Sequence, residues 1–526
     1  MLKVKTLLAI LCLLTSLYFP VQATMPQSPD FLQQYDSELQ NLNAVSIFYK
    51  NSNSLWLNKQ QLTNQAYDAL DFIASAPRHG LNAEHYHLST LRKIDPSENI
   101  EASQHFDVLL TDSLLVFIHD LAVGRLEAHV ADPDWFIPQA EFDAVAFLQQ
   151  ALLSPHLKTQ LNTLIPTSRE YSKLTDALAR YQDFVDQGGW PIIPEVSLLR
   201  PGDQNKNIPI IRARLAIEDR QSRDIATENL EQYDQSTEQA VRLFQKNHGL
   251  KIDGVIGSET HTELNVSAQD RVQQIKATLE RKRWMPADLG SRYVQVNLAS
   301  YTLSAVENNS EKLAMRVIVG KKYRQTPSFV SQISQLVVNP YWTVPYKLAV
   351  LDLLPKQQVD IDYFHLNEIR IFANVNGRRV ELDPYLIDWQ SLNKKNFPYT
   401  LRQEPGAHNA LGVVKFLFPN PWSIYLHDSP HKELFNETKR NLSSGCIRVE
   451  DPLGFANFSL EDSKAHQNLL DIIHSKENKG MKLAEPLSIY VVYFTVSIDG
   501  DEVLFSPDSY QRDKNIIKEL KIPKLL

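Results

Sequence analysis

A chain of 526 residues is long enough for several separate cores, and an apolar share of 43% suits soluble globular domains. A net charge of −8 leaves no basic surplus for holding nucleic acid. Two cysteines are too few for a disulfide framework.

The chain opens with MLKVKTLLAILCLLTSLYFPVQAT. Lys3 and Lys5 give a positive start, Leu7 to Leu17 is nearly all apolar, and Val21-Gln22-Ala23 offers small residues at a cleavage site. This pattern predicts a secretory signal peptide over 1–23, cut after Ala23. The apolar run is short for a spanning helix, so membrane contact is expected only through this segment if it stays as an anchor. Cleavage removes two lysines, taking the charge from −8 to −10. It also removes Cys12, leaving Cys446 alone. A lone thiol in an oxidising compartment calls for a reason.

Residues 24–190 read as a helical scaffold. QLTNQAYDALDFIASAPRHG, FDVLLTDSLLVFIHDLAVGRL and YSKLTDALARYQDFV carry apolar residues at three-and-four spacing. Gly80 is a helix stop. His79, His85 and His87 show no metal spacing and are expected in turns and on the surface. The Gly- and Pro-rich stretch 187–209 marks a boundary. In 191–268, amphipathic helices are expected around 208–217 and 235–248, the second capped by Ser236 or Thr237, with a short third from Ser258. AQDRVQQIKATLERKRWMP reads as a linker helix within 269–290, stopped by Pro286.

From Tyr293 the period changes to that of strands, giving a mainly-β domain over 291–510. Its last hairpin turns at Asp499-Gly500. A long insertion, 346–411, is expected to cap one end of the sheet. Residues 511–526 read as a C-terminal tail. The fold class is therefore multidomain α+β.

The chemistry centres on YLHDSPHKELFNETKRNLSSGCIRV, 425–449. A thiol attacks an amide carbonyl as thiolate and needs a base or a positive field. His427 ends a strand, and Cys446 follows in a glycine-containing turn that can return the thiol beside it. Gly445 lets the backbone approach closely, so amides at Gly445 and Cys446 can face an oxyanion. Asp451 and Pro452 open a helix whose N-terminus would favour the thiolate. The carboxylate of Asp428 is poorly placed to orient His427, because neighbouring strand residues point to opposite faces. Tyr425 shares a face with His427 and lines the cleft. Tyr341 and Trp342 either stack on substrate or belong to a core. Arg448 either binds a substrate carboxylate or pairs with an acid. His408 is read as wall. His431 lacks partners for a metal site; neither metal nor cofactor is expected.

Two segments resemble known families. AVRLFQKNHGLKIDGVIGSET matches the three-helix peptidoglycan-binding domain at Ala240, Val241, Phe244, Gln245, His248, Gly249, Leu250, Asp253, Gly254, Gly257 and Thr260. His427 and Ser443-Ser444-Gly445-Cys446-Ile447-Arg448 resemble the active site of L,D-transpeptidases, with Ser444 where many members have His. VVNPYWTVP, EPGAHNALG, FPNP and YLHDSP extend the likeness. The architecture resembles the large transpeptidases of the Gram-negative periplasm. That resemblance implies Cys446 as nucleophile, His427 as base with its ring held by a backbone carbonyl such as that of Asp428, and Gly445 at the oxyanion hole. Ser444, Arg448, Tyr425 and Trp342 are the substrate-binding candidates. It implies 3→3 cross-linking of peptidoglycan: a tetrapeptide donor loses D-Ala and a diaminopimelate stem accepts. Alternatives are an L,D-carboxypeptidase and a non-catalytic wall-binding scaffold. Other cell-wall enzymes are expected as partners.

Overall fold

The computed structural model describes residues 32–50, 56–218, 229–461 and 463–522. The expected signal segment and Cys12 lie outside the described residues.

The helical N-terminal region is built on Ile100–Val123, a 24-residue helix. Its apolar residues run almost all round it, and such a helix belongs inside. Leu42–Lys50, Asn64–Ala74 and Ala144–Leu152 pack around it. Two of its buried polar residues take partners from neighbouring segments: Trp56 Nε1 donates to Thr111 Oγ1 at 2.8 Å, and the Asn41 amide to Asp112 at 2.8 Å. Gly80 ends the short helix Ala76–His79 at φ 78°, a left-handed position that suits glycine. His79 departs from the surface reading. It is buried, hydrogen-bonded to Tyr171 at 3.3 Å, and burial lowers its pKa to about 4.

The next domain holds helices Ile208–Glu218, Gln235–Asn247 and Ser258–Leu264. The cap of the second is Asp234, one turn earlier than the expected Ser236 or Thr237, because its carboxylate accepts from the Thr237 amide at 2.9 Å. Gln245 is buried and ties Asp253, Gly254 and Thr260 into one turn. These motif residues build the fold and leave their ligand unspecified.

The expected linker, Ala268–Arg283, is instead a central strut that packs on Arg169–Asp186, Asp513–Lys521 and Val496–Asp499. Four of its charged residues, Arg271, Glu280, Arg281 and Arg283, are buried. They are paired internally: Glu280 takes the Leu126 amide at 2.8 Å and Trp284 Nε1 at 3.1 Å. The helix stops at Arg283, capped at Trp284, before Pro286 can act.

The C-terminal half is a nine-stranded sheet. Thr302–Glu307 pairs with both Arg292–Asn297 and Ser310–Gly320, so the sheet closes on itself around one apolar core. Burial alternates along Phe329–Val338 with one shift of phase after Ile333. Lys479–Val492 ends in a run buried on both faces, Ile489 and Val491 in the sheet's core and Tyr490 and Val492 in a cluster with Trp135 and Trp284. The last hairpin is divided. Lys479–Val492 stays in the large sheet, while Val496–Asp499 and Glu502–Phe505 form a separate ribbon that reaches the three-helix domain. The insertion has its own four-stranded sheet and its own core around Phe364, Trp389 and Leu401. Trp342 belongs to this sheet and packs, partly buried, on that core, which answers the alternative left open for it. The C-terminal tail is ordered by Asp513–Lys521, whose Asp513 is buried against Arg281.

Candidate active site

His427 ends the two-residue strand Leu426–His427. Cys446 immediately precedes the strand Ile447–Val449, and the two strands run parallel with Leu426 opposite Ile447 and His427 opposite Arg448. Parallel pairing brings the strand-end histidine and the turn cysteine to one rim of the closed sheet. The His427 Nδ1 lies 2.6 Å from the carbonyl oxygen of Asp428. The carboxylate of Asp428 is engaged elsewhere, accepting from the amides of Val413 and Ser429 at 2.9 and 2.7 Å and pairing with Lys432 at 2.6 Å. The backbone carbonyl therefore holds the ring, with the Nδ1–H tautomer leaving Nε2 free to take a proton.

The Ser443–Cys446 turn is braced from both sides. Ser443 Oγ donates to the Cys446 carbonyl at 2.6 Å and accepts from the Gly445 amide at 3.1 Å. Thr326 Oγ1 donates to the Gly445 carbonyl at 2.8 Å. Gly445 has φ 120°, while the space around its missing Cβ is open. The glycine is required by its backbone angle, not by a close approach. Since Ser443 occupies the Gly445 amide, only the Cys446 amide, which has no acceptor among the described residues, can face an oxyanion. The helix Pro452–Leu460 begins at the far end of Ile447–Val449, about 15 Å of extended chain away, with Asp451 over its N-terminus. It does not support the thiolate.

The thiol rests toward Ser423, 3.9 Å from that carbonyl oxygen, and Tyr425 hydrogen-bonds it. Ser423 holds φ 57°, a left-handed angle unusual for serine. Burial raises the Cys446 pKa above its ordinary value. Burial, then Arg448, lowers that of His427 to about 3. Both groups are thus neutral at rest.

The Tyr425 and His427 rings lie 5.5 Å apart. Among the described residues Arg448 has no acid partner, against the paired alternative; burial lowers its pKa, and its Nε is buried without a hydrogen bond. Lys415 was missed in the sequence. It pairs in register with His427 and sits 5.8 Å from the Tyr425 ring, making a transverse row Lys415–His427–Arg448 over three adjacent strands. Its signal was a single cation in the apolar run LGVVKFLF. Ser444 is exposed and accepts from Arg324 Nη1 at 3.0 Å, and Arg324 Nη2 reaches Asp352 of the insertion at 3.0 Å. Ser444 thus links the nucleophile turn to the cap. His408 and His431 are exposed, the latter 3.3 Å from Glu433.

Residues 291–466 match the family described as "L,D-transpeptidase catalytic domain". The chain carries an L,D-transpeptidase catalytic domain. Upstream of it, residues 43–178 match "Scaffold domain" and 206–264 match "Putative peptidoglycan binding domain". A Haemophilus influenzae protein named "Putative L,D-transpeptidase" is 37% identical over 224 residues, which is 42% of this chain and 44% of that protein. The match therefore spans under half of the relative's length. Among solved structures, the L,D-transpeptidase fragment from Xylanimonas cellulosilytica is 15% identical over 57% of this chain and 99% of its own, at a TM-score of 0.17. The one from Stackebrandtia nassauensis is 13% identical over 57% and 96%, at 0.21.

Two outcomes are expected of the transpeptidase site. In Gly412→Ala, the new Cβ would lie 2.1 Å from the Asp428 carboxylate at a backbone φ of 61°. The denaturation midpoint should fall by roughly 2 kcal/mol of stability, and Cys446 alkylation should change rate as Asp428 shifts His427. In Lys415→Met and Arg448→Met, each removes a positive charge that holds His427 neutral. The His427 pKa should rise in both, followed by imidazole NMR titration. The acid limb of kcat/KM, expected in the wild type near the His427 value of about 3, should move up with it.

Proposed function

We propose that the protein is a periplasmic transpeptidase that joins peptidoglycan stems by 3→3 cross-links. The observation that carries this reading is the braced Cys446 on the same cleft rim as His427, whose ring the Asp428 carbonyl holds, within a domain of the transpeptidase family. Cys446 Sγ attacks the carbonyl carbon of the third residue of a tetrapeptide stem, and its proton passes to His427 Nε2. The oxyanion is held by the Cys446 amide. The C–N bond breaks, His427 returns its proton to the nitrogen, and D-Ala leaves. The thioester is then attacked by the side-chain amine of a diaminopimelate on a second stem. His427 takes that amine's proton and passes it to the departing sulfur. Lys415 and Arg448, two cations without acid partners among the described residues, suit the free carboxylates of these stems.

The test is mass spectrometry of the products from purified tetrapeptide muropeptides. Dimers plus free D-Ala are expected. Tripeptide without dimers would make the protein an L,D-carboxypeptidase. Dimers formed equally by Cys446→Ala would end the cysteine mechanism. Secretion is tested by N-terminal sequencing of the protein from a periplasmic extract, with a start after Ala23 expected.

A further inference from the structure

An aromatic ladder crosses from the helical region to the cleft. Trp422 immediately precedes Ser423, whose carbonyl oxygen touches the thiol at 3.9 Å. The Phe136 ring lies 4.7 Å from the Trp422 ring, and the His129 ring 4.9 Å from Phe136. Phe136 is 40% exposed and the neighbouring Val130 65%. Phe136 and the exposed His129 thus offer ring faces to solvent beside the transpeptidase domain.

The ladder is rigidly built. The Phe136 amide donates to the Ser328 carbonyl at 2.7 Å, and the Ser328 amide to Asp134 at 2.8 Å. Trp135 is buried beside Trp284 and Phe494, at 5.3 and 6.3 Å. Asp132 pairs with buried Arg281 at 3.3 Å. Trp422 leans on Phe329 at 5.3 Å. The chain thus spends a buried ion pair and a buried tryptophan on holding Phe136 in solvent beside the catalytic domain.

We infer that this ladder, shared between the scaffold and the transpeptidase domain, is a subsite for the sugar backbone that carries the donor stem. The inference rests on the peptidoglycan reading above. The attacked carbonyl belongs to the third residue of the stem, so three residues, about 10 Å of extended chain, separate it from the sugar. The ladder starts at Trp422, one residue from the Ser423 carbonyl that meets the thiol, and its Phe136 and His129 rings follow in steps of 4.7 and 4.9 Å, a reach of the same order. A stem seated with its third residue at Cys446 and running along the ladder places its sugar over Phe136 and His129. Flat aromatic faces take the C–H face of a pyranose ring, and a histidine edge can meet its hydroxyls. The helical region would then select stems attached to glycan over free peptides.

The experiment compares a disaccharide-tetrapeptide with the sugar-free tetrapeptide by calorimetry, using full-length protein with Cys446→Ala so that no turnover occurs. The disaccharide form should bind about five- to tenfold tighter, Phe136→Ala should remove that difference, and Phe136→Tyr should keep it. The sugar-free tetrapeptide should change less than twofold in either variant. The three-helix domain offers a second glycan site, so the readout is the part of the difference that Phe136→Ala abolishes. Equal binding of the two ligands, no binding of either, or an unchanged difference in Phe136→Ala overturns the subsite. Failure of the catalytic reading is separate: wild-type protein would release no D-Ala while the Phe136-dependent difference persisted.

Discussion

Cys446→Ala is expected to lower D-Ala release by about 10⁴- to 10⁶-fold, with His427→Ala nearly as damaging and the double variant no worse than the cysteine variant alone. The reason is that the two groups work as one unit. At rest the thiol is kept neutral by burial, and His427 is neutral down to about pH 3. There is no standing thiolate for a lone Cys446 to use once the base is gone. Intact-mass spectrometry with a tetrapeptide donor reads the thioester directly. Wild type should gain the tripeptide acyl mass, and Cys446→Ala should gain none. His427→Ala should gain it only slowly, and faster as pH rises toward the raised thiol pKa. A His427→Ala variant that acylates at the wild-type rate near neutral pH would show that another group takes the proton. Ser444→Ala is a contrasting case. It removes the acceptor for Arg324 but leaves Ser443 and Thr326 bracing the turn, so acylation should survive.

The parts of this site that local chemistry dictates were legible from residue order. A histidine at a strand end, a Ser-Ser-Gly-Cys turn and an Asp-Pro helix start each carry their own signal within a few residues. Strand alternation turned the Asp428 carboxylate away from His427, and the family resemblance implied a backbone carbonyl in its place, where the Asp428 carbonyl oxygen lies. What could not be read depends on register between distant strands. Lys415 reaches the site only because Val414–Leu417 pairs with Leu426–His427, and nothing local fixes that pairing. The roles of Gly445 and its amide were misjudged for a similar reason, because Ser443 competes for the amide and only coordinates show it. Long-range ion pairing also misled the reading of Ala268–Arg283. Three arginines, two lysines and two acids in one helix look like a solvated surface until Asp132, Asp513 and Glu263 arrive from other domains.

That helix gives the largest expected effect on stability. Arg281 is fully buried and pairs with Asp132 of the scaffold and with Asp513 of the C-terminal helix, and its guanidinium lies 5.2 Å from the Tyr493 ring. Arg281→Met should cost roughly 3–5 kcal/mol, since Asp513 is left in a dry interior without its counter-charge and Asp132 keeps Arg512, 4.0 Å away. The cost comes from the stranded acid more than from the lost attraction. Adding Asp513→Asn to Arg281→Met should therefore recover part of the loss, and so should lowering the pH, which protonates the stranded acid. The sign follows from linkage. Burial already raises the Asp513 pKa, and without Arg281 it stays above the unfolded value. The unfolded state therefore gives up its proton first, and the stability present below the unfolded pKa is lost as pH rises through the folded one. Chemical denaturation of Arg281→Met at several pH values checks this, and a penalty that does not shrink on acidification would mean that lost packing dominates. The same variant loosens Asp132, and with it the segment that holds Trp135 and Phe136 against Ser328. If the aromatic ladder serves as a glycan subsite, Arg281→Met should weaken sugar-dependent binding at temperatures where the thiol still acylates, a split that global unfolding would not produce.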